Sequence, residues 1–151
     1  MQPGFQFVFE LNATLDPAIA IGETPHGVRR VVPITGGHFE GPEIRGTILP
    51  GGADWQVVRG DGANELEALY LLRTDDGVVI QVRNRGLRHG PPDVMRRLAA
   101  GENVDPGEYY FRAVPSFAAP AGKYEWLNRS IHVCTGARYG GSIRLWFYRV
   151  T

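Results

Sequence analysis

The sequence predicts an all-β fold, an antiparallel meander closed into a β-barrel with one short helix. Twenty glycines and eleven prolines separate short segments rich in Val, Ile, Phe, Tyr and Leu, which is the pattern of strands joined by turns. Only one segment has helical spacing, which argues against helical crossovers between parallel strands. Closing the meander removes exposed strand edges, and an open two-sheet sandwich is the alternative. No repeat or linker divides the chain, so residues 1–151 are expected to form one domain.

Side-chain alternation and turn residues define the predicted elements. In Phe5–Leu11, bulky apolar residues occupy every second position, as expected for a strand with one buried face. Thr74-Asp75-Asp76-Gly77 joins two such segments and contains Asp-Gly, a strong hairpin signal. The helix is predicted at Pro91–Gly101, where prolines precede and a glycine follows apolar residues at helical spacing. Further strands are predicted at Val28–Ile34, Glu43–Leu49, Asp54–Arg59, Leu66–Arg73, Val78–Asn84, Glu108–Val114, Trp126–Val133 and Ser142–Val150.

Charge and hydropathy argue against nucleic acid and membranes as partners. Sixteen basic and sixteen acidic residues cancel, and no run of Lys or Arg creates a local basic patch. No apolar run approaches the roughly 20 residues that span a bilayer, and the first residues lack the features of a signal peptide. We therefore expect a cytoplasmic protein. The single cysteine, Cys134, is expected to pack as a small hydrophobe in a strand rather than to act as a nucleophile.

Motifs that bind cofactors or metals do not occur in the sequence. It contains no phosphate-binding loop, nucleophile elbow or kinase signature. The histidines His26, His38, His89 and His132 lie far apart and form no paired metal-ligand motif. We therefore expect no cofactor and no metal, which leaves cofactor-free proton chemistry or simple ligand binding. Gly36-Gly37 does not open a helix as a dinucleotide fingerprint would, and we interpret it as a bulge or tight corner.

A series of motifs runs in order along the chain and resembles one protein family. The family is known as domain of unknown function 3237, or uncharacterised protein family 0311. The resemblance implies a compact barrel of lipocalin-like proportions and a tendency to self-associate. Where family members commonly show Phe-Glu, this chain has Phe117-Ala118-Ala119, so a glutamate there is not available for acid–base chemistry. The motifs are Gly36-Gly37-His38-Phe39-Glu40-Gly41-Pro42, Leu49-Pro50-Gly51-Gly52-Ala53-Asp54-Trp55-Gln56, Thr74-Asp75-Asp76-Gly77, Asn84-Arg85-Gly86, Tyr109-Tyr110-Phe111-Arg112 and Tyr124-Glu125-Trp126-Leu127-Asn128-Arg129.

Asp54 is the first candidate for a general base. It follows a glycine pair and precedes Trp55, so burial at a strand mouth would raise its pKa and prepare it for proton transfer. The alternative is that the stretch is only a turn in which Asp54 bonds its own backbone. His38 is a candidate proton carrier in the substrate-binding region, or else an exposed loop residue.

Strand parity groups the other candidate side chains. Tyr110 and Arg112 share one face of a predicted strand, and Trp126 and Asn128 share one face of another. If these faces point inward, the barrel encloses a ligand cavity with aromatic walls and an arginine for an anionic oxygen. If they face water or bond one another, the same residues are structural. We predict one cavity formed by Asp54, Tyr70, Asn84, Tyr110, Arg112, Trp126 and Asn128.

The resulting functional hypothesis is a cofactor-independent enzyme with lyase, hydratase or isomerase chemistry on a small aromatic or oxygenated metabolite. The alternatives are a non-catalytic carrier or sensor and an oligomeric structural barrel. In the enzyme, Asp54 is the base, Tyr70 or Tyr110 donates a proton or hydrogen bond, and Arg112 stabilises an oxyanion. The substrate-binding residues are His38, Trp55, Asn84, Trp126 and Asn128.

The last predicted strand indicates a homo-oligomer, most simply a dimer. If Ile143, Leu145 and Phe147 fill the interior, then Trp146 and Tyr148 project outward. An aromatic pair on one strand face is typical of a protein interface. The alternative is that the predicted helix covers this face within one subunit.

Overall fold

The computed structural model describes all residues, Met1–Thr151, and contains ten strands and one α-helix. The α-helix, α1, spans Pro92–Ala99, and short 3₁₀ helices span Pro106–Glu108 and Glu125–Arg129. The strands are β1 Phe5–Leu15, β2 Ile19–Thr24, β3 Gly27–Glu40, β4 Arg45–Ile48, β5 Gly52–Val58, β6 Asn64–Thr74, β7 Val79–His89, β8 Tyr110–Ala118, β9 His132–Tyr139 and β10 Ser142–Val150.

The strands form a closed antiparallel barrel. The strands β6 to β10 follow one another as neighbours, β10 pairs with β1, and β1 also pairs with β3. Between β3 and β6, the short strands β4 and β5 share one position, so the barrel has eight strand positions. The predicted antiparallel barrel is confirmed, and the sandwich alternative is wrong because no edge of the sheet stays open along β1. The added strand β2, which the sequence did not predict, pairs only with the first half of β3.

A glycine corner lets β3 serve two different sets of neighbours. Residues before the corner pair with β2 and β5, and residues after it pair with β1 and β4. The β1–β3 register shifts at this point, between Thr14 and Leu15. Gly37 has φ 130°, and a Cβ there would lie 2.0 Å from the carbonyl oxygen of Asn12. The prediction of a bulge or corner at Gly36-Gly37 is therefore confirmed.

The barrel interior is divided into an aromatic end and a polar end. At the aromatic end, Phe9 stacks on Phe147 with ring centroids 4.4 Å apart and packs against Phe39 at 5.2 Å. These side chains are fully buried and form the centre of one continuous apolar core. At the opposite end, polar side chains from β3, β5, β6, β7 and β9 point inward. The aromatic end contributes most of the hydrophobic stabilisation, because its large side chains are removed completely from water.

Two connections meet at the aromatic end of the barrel. The predicted hairpin at Thr74–Gly77 is confirmed, and its Asp76 carboxylate accepts a hydrogen bond from the Tyr124 hydroxyl at 2.8 Å. The predicted strand Trp126–Val133 is wrong in its first part. Residues Glu125–Arg129 form a 3₁₀ helix, and β9 begins only at His132.

The predicted helix is confirmed as α1, which lies in the β7–β8 connection at the polar end. Pro91 is its N-cap residue and Pro92 its first helical residue, where a missing N–H has no helical partner to lose. Its apolar side chains Val94 and Leu98 are buried against the core. No helix in the structure has the length and apolar character needed to cross a membrane.

Replacing Gly37 with alanine is expected to lower the free energy of unfolding by about 2–4 kcal/mol, because the new methyl group clashes with backbone in a conformation that favours glycine. Urea denaturation measures the change. Gly60→Ala is the matched control, since a Cβ at Gly60 meets no atom within 4 Å. Equal stability of both variants would show that β1 and β3 do not constrain this corner.

Candidate functional site

The polar end contains a short hydrogen-bonded relay that leaves one carboxylate oxygen free. Gly52, Asp54 and Gln56 occupy alternate positions of β5, so their side chains share the inward face. Arg30 Nε donates to Gln56 Oε1 at 2.6 Å, and Gln56 Nε2 donates to Asp54 Oδ2 at 2.7 Å. The other oxygen, Asp54 Oδ1, is buried and accepts no hydrogen bond from the protein. The relay therefore fixes the carboxylate and aims a free oxygen into the barrel.

The surroundings of Asp54 favour its protonated form. Burial raises the pKa of Asp54 above its ordinary value, and this effect outweighs the hydrogen bond from Gln56, the charge of Arg88, the nearby backbone N–H of Glu67 and the charge of Arg30. A carboxyl group with a raised pKa accepts and returns a proton more readily near neutral pH than an ordinary aspartate. The environment thus prepares Asp54 for proton transfer.

Tyr70 is the second buried polar group without a partner. It lies on β6, is 5% exposed, and its hydroxyl forms no hydrogen bond. Burial raises the pKa of Tyr70 well above its usual value, with further contributions from Cys134 and Asp54. The hydroxyl is therefore protonated throughout the physiological pH range and is available as a donor.

Asp54 and Tyr70 line the same small cavity, together with Arg138 of β9. Its volume is about 40 Å³, and the rest of its wall is apolar, including Leu15, Ala68 and Ile143. This space admits water or a small functional group, whereas an aromatic ring needs a cavity of roughly 150 Å³. The cavity thus brings together Asp54, Tyr70 and Arg138 around a site for a few atoms, while one guanidinium nitrogen of Arg138 donates to the exposed Gly140 carbonyl.

Two arginines of this region were missed in the sequence. Arg88 and Asn84 lie an even number of residues apart in β7, so both side chains point inward. The same holds for Arg138 and Cys134 in β9. The predicted strands ended before both residues, so the parity signal was present but was not extended far enough. Arg88 is 4% exposed, its guanidinium lies 5.2 Å from the Phe111 ring centroid, and its Nη1 has no partner.

The prediction that Tyr110 and Arg112 share a cavity with Asp54 is wrong. They alternate along β8 with Phe111 and Ala113, which are buried, so Tyr110 and Arg112 point outward. Apolar burial decides the parity here, because the opposite choice would place Phe111 in water and a guanidinium in the core. Arg112 instead donates to the Phe111 carbonyl oxygen and lies over the Tyr110 ring.

Trp126 and Asn128 also lie outside the cavity. They belong to the 3₁₀ helix of the β8–β9 connection, where strand parity does not apply. The Asn128 side chain is exposed, accepts from the Ala119 N–H and donates to the Ala119 carbonyl, each at 2.8 Å. Trp126 packs, partly buried, against the core. Both residues therefore stabilise a connection at the aromatic end.

Asn84 points inward as predicted, but it bonds Cys134 rather than facing the cavity. Asn84 Nδ2 donates to Cys134 Sγ at 3.4 Å, and both side chains are buried. Burial raises the pKa of the Cys134 thiol to about 11, so the thiolate needed by a nucleophile is scarce. Cys134 is a packing residue, as the sequence suggested.

His38 and Trp55 lie on the outer surface. His38 is exposed within β3, opposite Thr47 of β4, so its placement in a loop was wrong. Trp55 is 52% exposed, because the inward positions of β5 belong to Asp54 and Gln56. It lines an outer groove of about 1020 Å³ that also includes Tyr110 and Arg112. The predicted site residues thus fall on two sides of the barrel wall.

Similar proteins are found mainly among uncharacterised bacterial proteins. Residues 3–150 match the family described as a protein of unknown function, DUF3237. A UPF0311 protein of Clostridium acetobutylicum is 39% identical over 148 residues, covering 97% of this chain and 94% of the relative. The crystal structure of a conserved protein of unknown function from Rhodopseudomonas palustris has a TM-score of 0.97 at 38% identity, covering 100% of this chain and 99% of that chain.

A more distant likeness leads to a fungal enzyme. A hydroalkoxylation enzyme of Penicillium herquei is 32% identical over 80 residues, which are 53% of this chain and 53% of that enzyme. The crystal structure of an enzyme from the same fungus has a TM-score of 0.75 at 23% identity, covering 100% of this chain and 96% of that chain, which shows a shared fold alone. The family match and the bacterial relatives both span nearly the whole chain, and the protein therefore belongs to the DUF3237 family.

Proposed function

We propose that the protein is an enzyme that catalyses proton transfer on a small oxygenated metabolite, in an elimination, addition or isomerisation that needs no cofactor. The observation that carries this proposal is the pair of unpartnered polar groups, Asp54 Oδ1 and the Tyr70 hydroxyl, on one cavity. Leaving a buried polar group unpaired costs about 1–3 kcal/mol, so two such groups on one cavity need a partner there, which a bound water supplies at rest and a substrate oxygen supplies during turnover. The fungal hydroalkoxylation enzyme supports chemistry of this class.

The geometry assigns a separate role to each side chain. Asp54 Oδ1 removes a proton from the substrate, while Gln56 holds Oδ2 and keeps the carboxylate oriented. The Tyr70 O–H donates a hydrogen bond to the oxygen on which negative charge develops, and the Arg138 guanidinium stabilises the same charge. In an addition, Asp54 takes the proton from the O–H group that attacks a carbon–carbon double bond, and the same proton is then given to the carbon next to the new C–O bond, so no further proton donor is needed.

The size of the cavity limits which part of a substrate can enter the barrel. Its volume of about 40 Å³ accommodates the reacting group of a small oxygenated molecule, and the stacked phenylalanines Phe9 and Phe147 lie at the other end. An aromatic ring enclosed by Trp126 and Trp55, as the sequence predicted, does not fit this arrangement. We therefore place only the oxygenated reacting group inside the barrel.

Deuterium incorporation tests this proposal even when the natural product of the reaction is unidentified. Small ketones, hydroxy acids and unsaturated acids are incubated with the protein in D₂O, and proton NMR follows exchange at carbon and the appearance of products. We expect exchange or conversion of at least one class, and its loss in Asp54→Asn. If the protein binds compounds of these classes but neither exchanges their protons nor converts them, the result would instead support a non-catalytic carrier.

Asp54→Asn is expected to lower turnover by about a hundredfold or more while the fold is retained, because the amide keeps the shape of the side chain but cannot accept the proton. Steady-state kinetics on the substrate found by exchange, with circular dichroism as a folding check, measure this. Asp75→Asn is the control, since Asp75 is an exposed carboxylate paired with Arg45. Unchanged turnover in Asp54→Asn would exclude Asp54 as the base.

Tyr70→Phe is expected to leave the free energy of unfolding unchanged or raise it by about 1 kcal/mol, because the lost hydroxyl has no hydrogen-bond partner. Turnover should nevertheless fall. Tyr109→Phe provides the contrast, since the Tyr109 hydroxyl accepts from the Arg138 backbone N–H at 2.9 Å and its loss should cost about 1 kcal/mol. A clear loss of stability in Tyr70→Phe would indicate a structural hydroxyl.

The raised pKa of Asp54 also predicts a pH dependence of stability. The ordinary value is 3.8, and the folded protein holds the proton more tightly than the unfolded chain. The contribution of this group is complete below its unfolded pKa and is lost as pH rises through its folded pKa. Relative to Asp54→Asn, the wild type should therefore lose stability as pH increases above about 4. Urea denaturation at a series of pH values from about 4 upward measures the free energy of unfolding of both proteins. The wild type should lose stability relative to Asp54→Asn as pH rises, and a difference that stays constant would contradict the raised pKa.

A further inference from the structure

Three arginines surround Asp54 at the polar end of the barrel. Arg30, Arg88 and Arg138 come from β3, β7 and β9 and are electrostatic neighbours of Asp54 and of one another. The ion pairs of the protein are all on its surface, and none involves these three side chains. Even with Asp54 ionised, two of the three positive charges have no compensating carboxylate.

Arg88 is the buried charge of the three, whereas Arg30 and Arg138 are partly buried. Burial, followed by the charge of Arg138, lowers the pKa of Arg88 to about 10, so Arg88 still carries its charge at neutral pH. Its Nη1 is buried and bonds no acceptor. Arg30 donates to Gln56, and Arg138 donates to the Gly140 carbonyl at 3.2 Å, so neither meets an anion of the protein. Buried charges are usually paired, and an unpaired one is strongly destabilising.

We propose that the polar end is an anion site and that the substrate enters it as a carboxylate, held by Arg138, which lines the cavity with Asp54 and Tyr70, and attracted by the charge of Arg88, which is buried nearby and does not line the cavity. This inference rests on the proposed function and adds the chemical class of its substrate. A carboxylate is small and planar, which suits a cavity of about 40 Å³, and it accepts from guanidinium N–H groups in a paired geometry. The carboxylate supplies the negative charge that the cluster lacks, and an adjacent carbon is thereby brought to Asp54 Oδ1.

Acetate and its neutral isostere acetamide test the anion site directly. Arginine Nε–Hε signals in ¹H–¹⁵N spectra of the full chain are followed as each compound is added. We expect acetate to shift the signals of Arg88 and Arg138 and to bind at least about tenfold more tightly than acetamide. Equal binding of the two compounds, or failure of acetate to perturb either arginine, would overturn the proposal.

Single arginine variants locate the binding. Arg88→Met and Arg138→Met are each expected to weaken acetate binding about tenfold or more. Arg138 is only partly buried, so Arg138→Met is expected to fold and provides the test if Arg88→Met does not fold. Arg45→Met is the matched control, because Arg45 is an exposed arginine paired with Asp75. Unchanged acetate affinity in both test variants would overturn the assignment of these arginines.

The acetate test and the turnover test fail separately. Asp54→Asn keeps all three arginines and removes their nearby negative charge, so it should bind acetate at least as tightly as the wild type. If acetate binds selectively but turnover does not depend on Asp54, the anion site stands and the proposed chemistry is wrong. If turnover depends on Asp54 but acetate binds no better than acetamide, the chemistry stands and the carboxylate is wrong.

A different observation supports a second proposal, on the outer face of the barrel. The groove is lined by outward side chains of β5, β7 and β8, of which Trp55 is 52% and Val114 55% exposed. Leu87 and Tyr110 also line the groove. Charged side chains lie between these apolar ones, with Glu67 and Arg85 between Trp55 and Val114. Exposed aromatic and aliphatic side chains mixed with arginine in this way are typical of a protein interface.

We infer that the occupant of this groove is a second copy of the chain. Glu65 and Glu67 lie on β6, and Arg85 and Arg112 lie on the two following strands. In a two-fold dimer the acidic strand of each copy would face the basic strands of the other, in addition to the pairing of Glu67 with Arg85 within each chain. Tyr148 also lines the groove, whereas Trp146 does not, which moves the predicted contact from the β10 aromatic pair to this face.

Sedimentation equilibrium at micromolar concentration tests the dimer. We expect twice the mass of the chain, and an increase of about tenfold or more in the dissociation constant of Trp55→Glu and of Val114→Glu. Ile131→Glu is the control, because Ile131 is 68% exposed and lies outside the groove. A monomeric wild type, or a dimer that neither groove variant weakens, would overturn this proposal.

Discussion

Pairing of β1 along both of its edges is the interaction on which the rest of the structure depends. β10 covers one edge of β1 and the second half of β3 covers the other, so the sheet closes on itself. The second pairing requires β3 to turn at Gly37, where any side chain would overlap the backbone of β1. Closure removes free edges and creates an interior that water does not enter freely. The buried polar groups of the interior depend on that exclusion for their properties.

The interior separates stability from chemistry. Stacked phenylalanines fill the end closed by the β8–β9 connection, where the buried His132 ring packs edge-on against Phe117 and its nitrogens lack partners. The opposite end contains Asp54, Tyr70 and Arg88, each with a buried atom that lacks a hydrogen-bond partner. Such groups reduce the free energy of folding, and the apolar end offsets that loss. A fold organised in this way maintains reactive side chains in a low-dielectric site without water to compete for them.

The inner and outer faces of the barrel wall have different surroundings. Alternation along β5 sends Asp54 inward and Trp55 outward, and alternation along β8 sends Phe111 inward and Arg112 outward. Asp54 lines the small inner cavity, and Trp55 and Arg112 line a broad outer groove about 1020 Å³ in volume. The alternation of side chains along each strand therefore places the proposed carboxylate site inside the barrel and the proposed dimer surface outside it.

Local patterns in the sequence determined the fold class, the Thr74–Gly77 hairpin, the helix, the glycine corner and the candidacy of Asp54 and Tyr70. These features depend on neighbouring residues or on a period of two, so a single chain shows them. Tertiary structure decided which face of β8 is buried, because the choice between Phe111 and Arg112 depends on the strands around them. It also decided that Trp126 and Asn128 leave the strand, and that Arg30, Arg88 and Arg138 meet at Asp54. Those arginines are far apart in the chain, and only the register of a closed barrel brings them together.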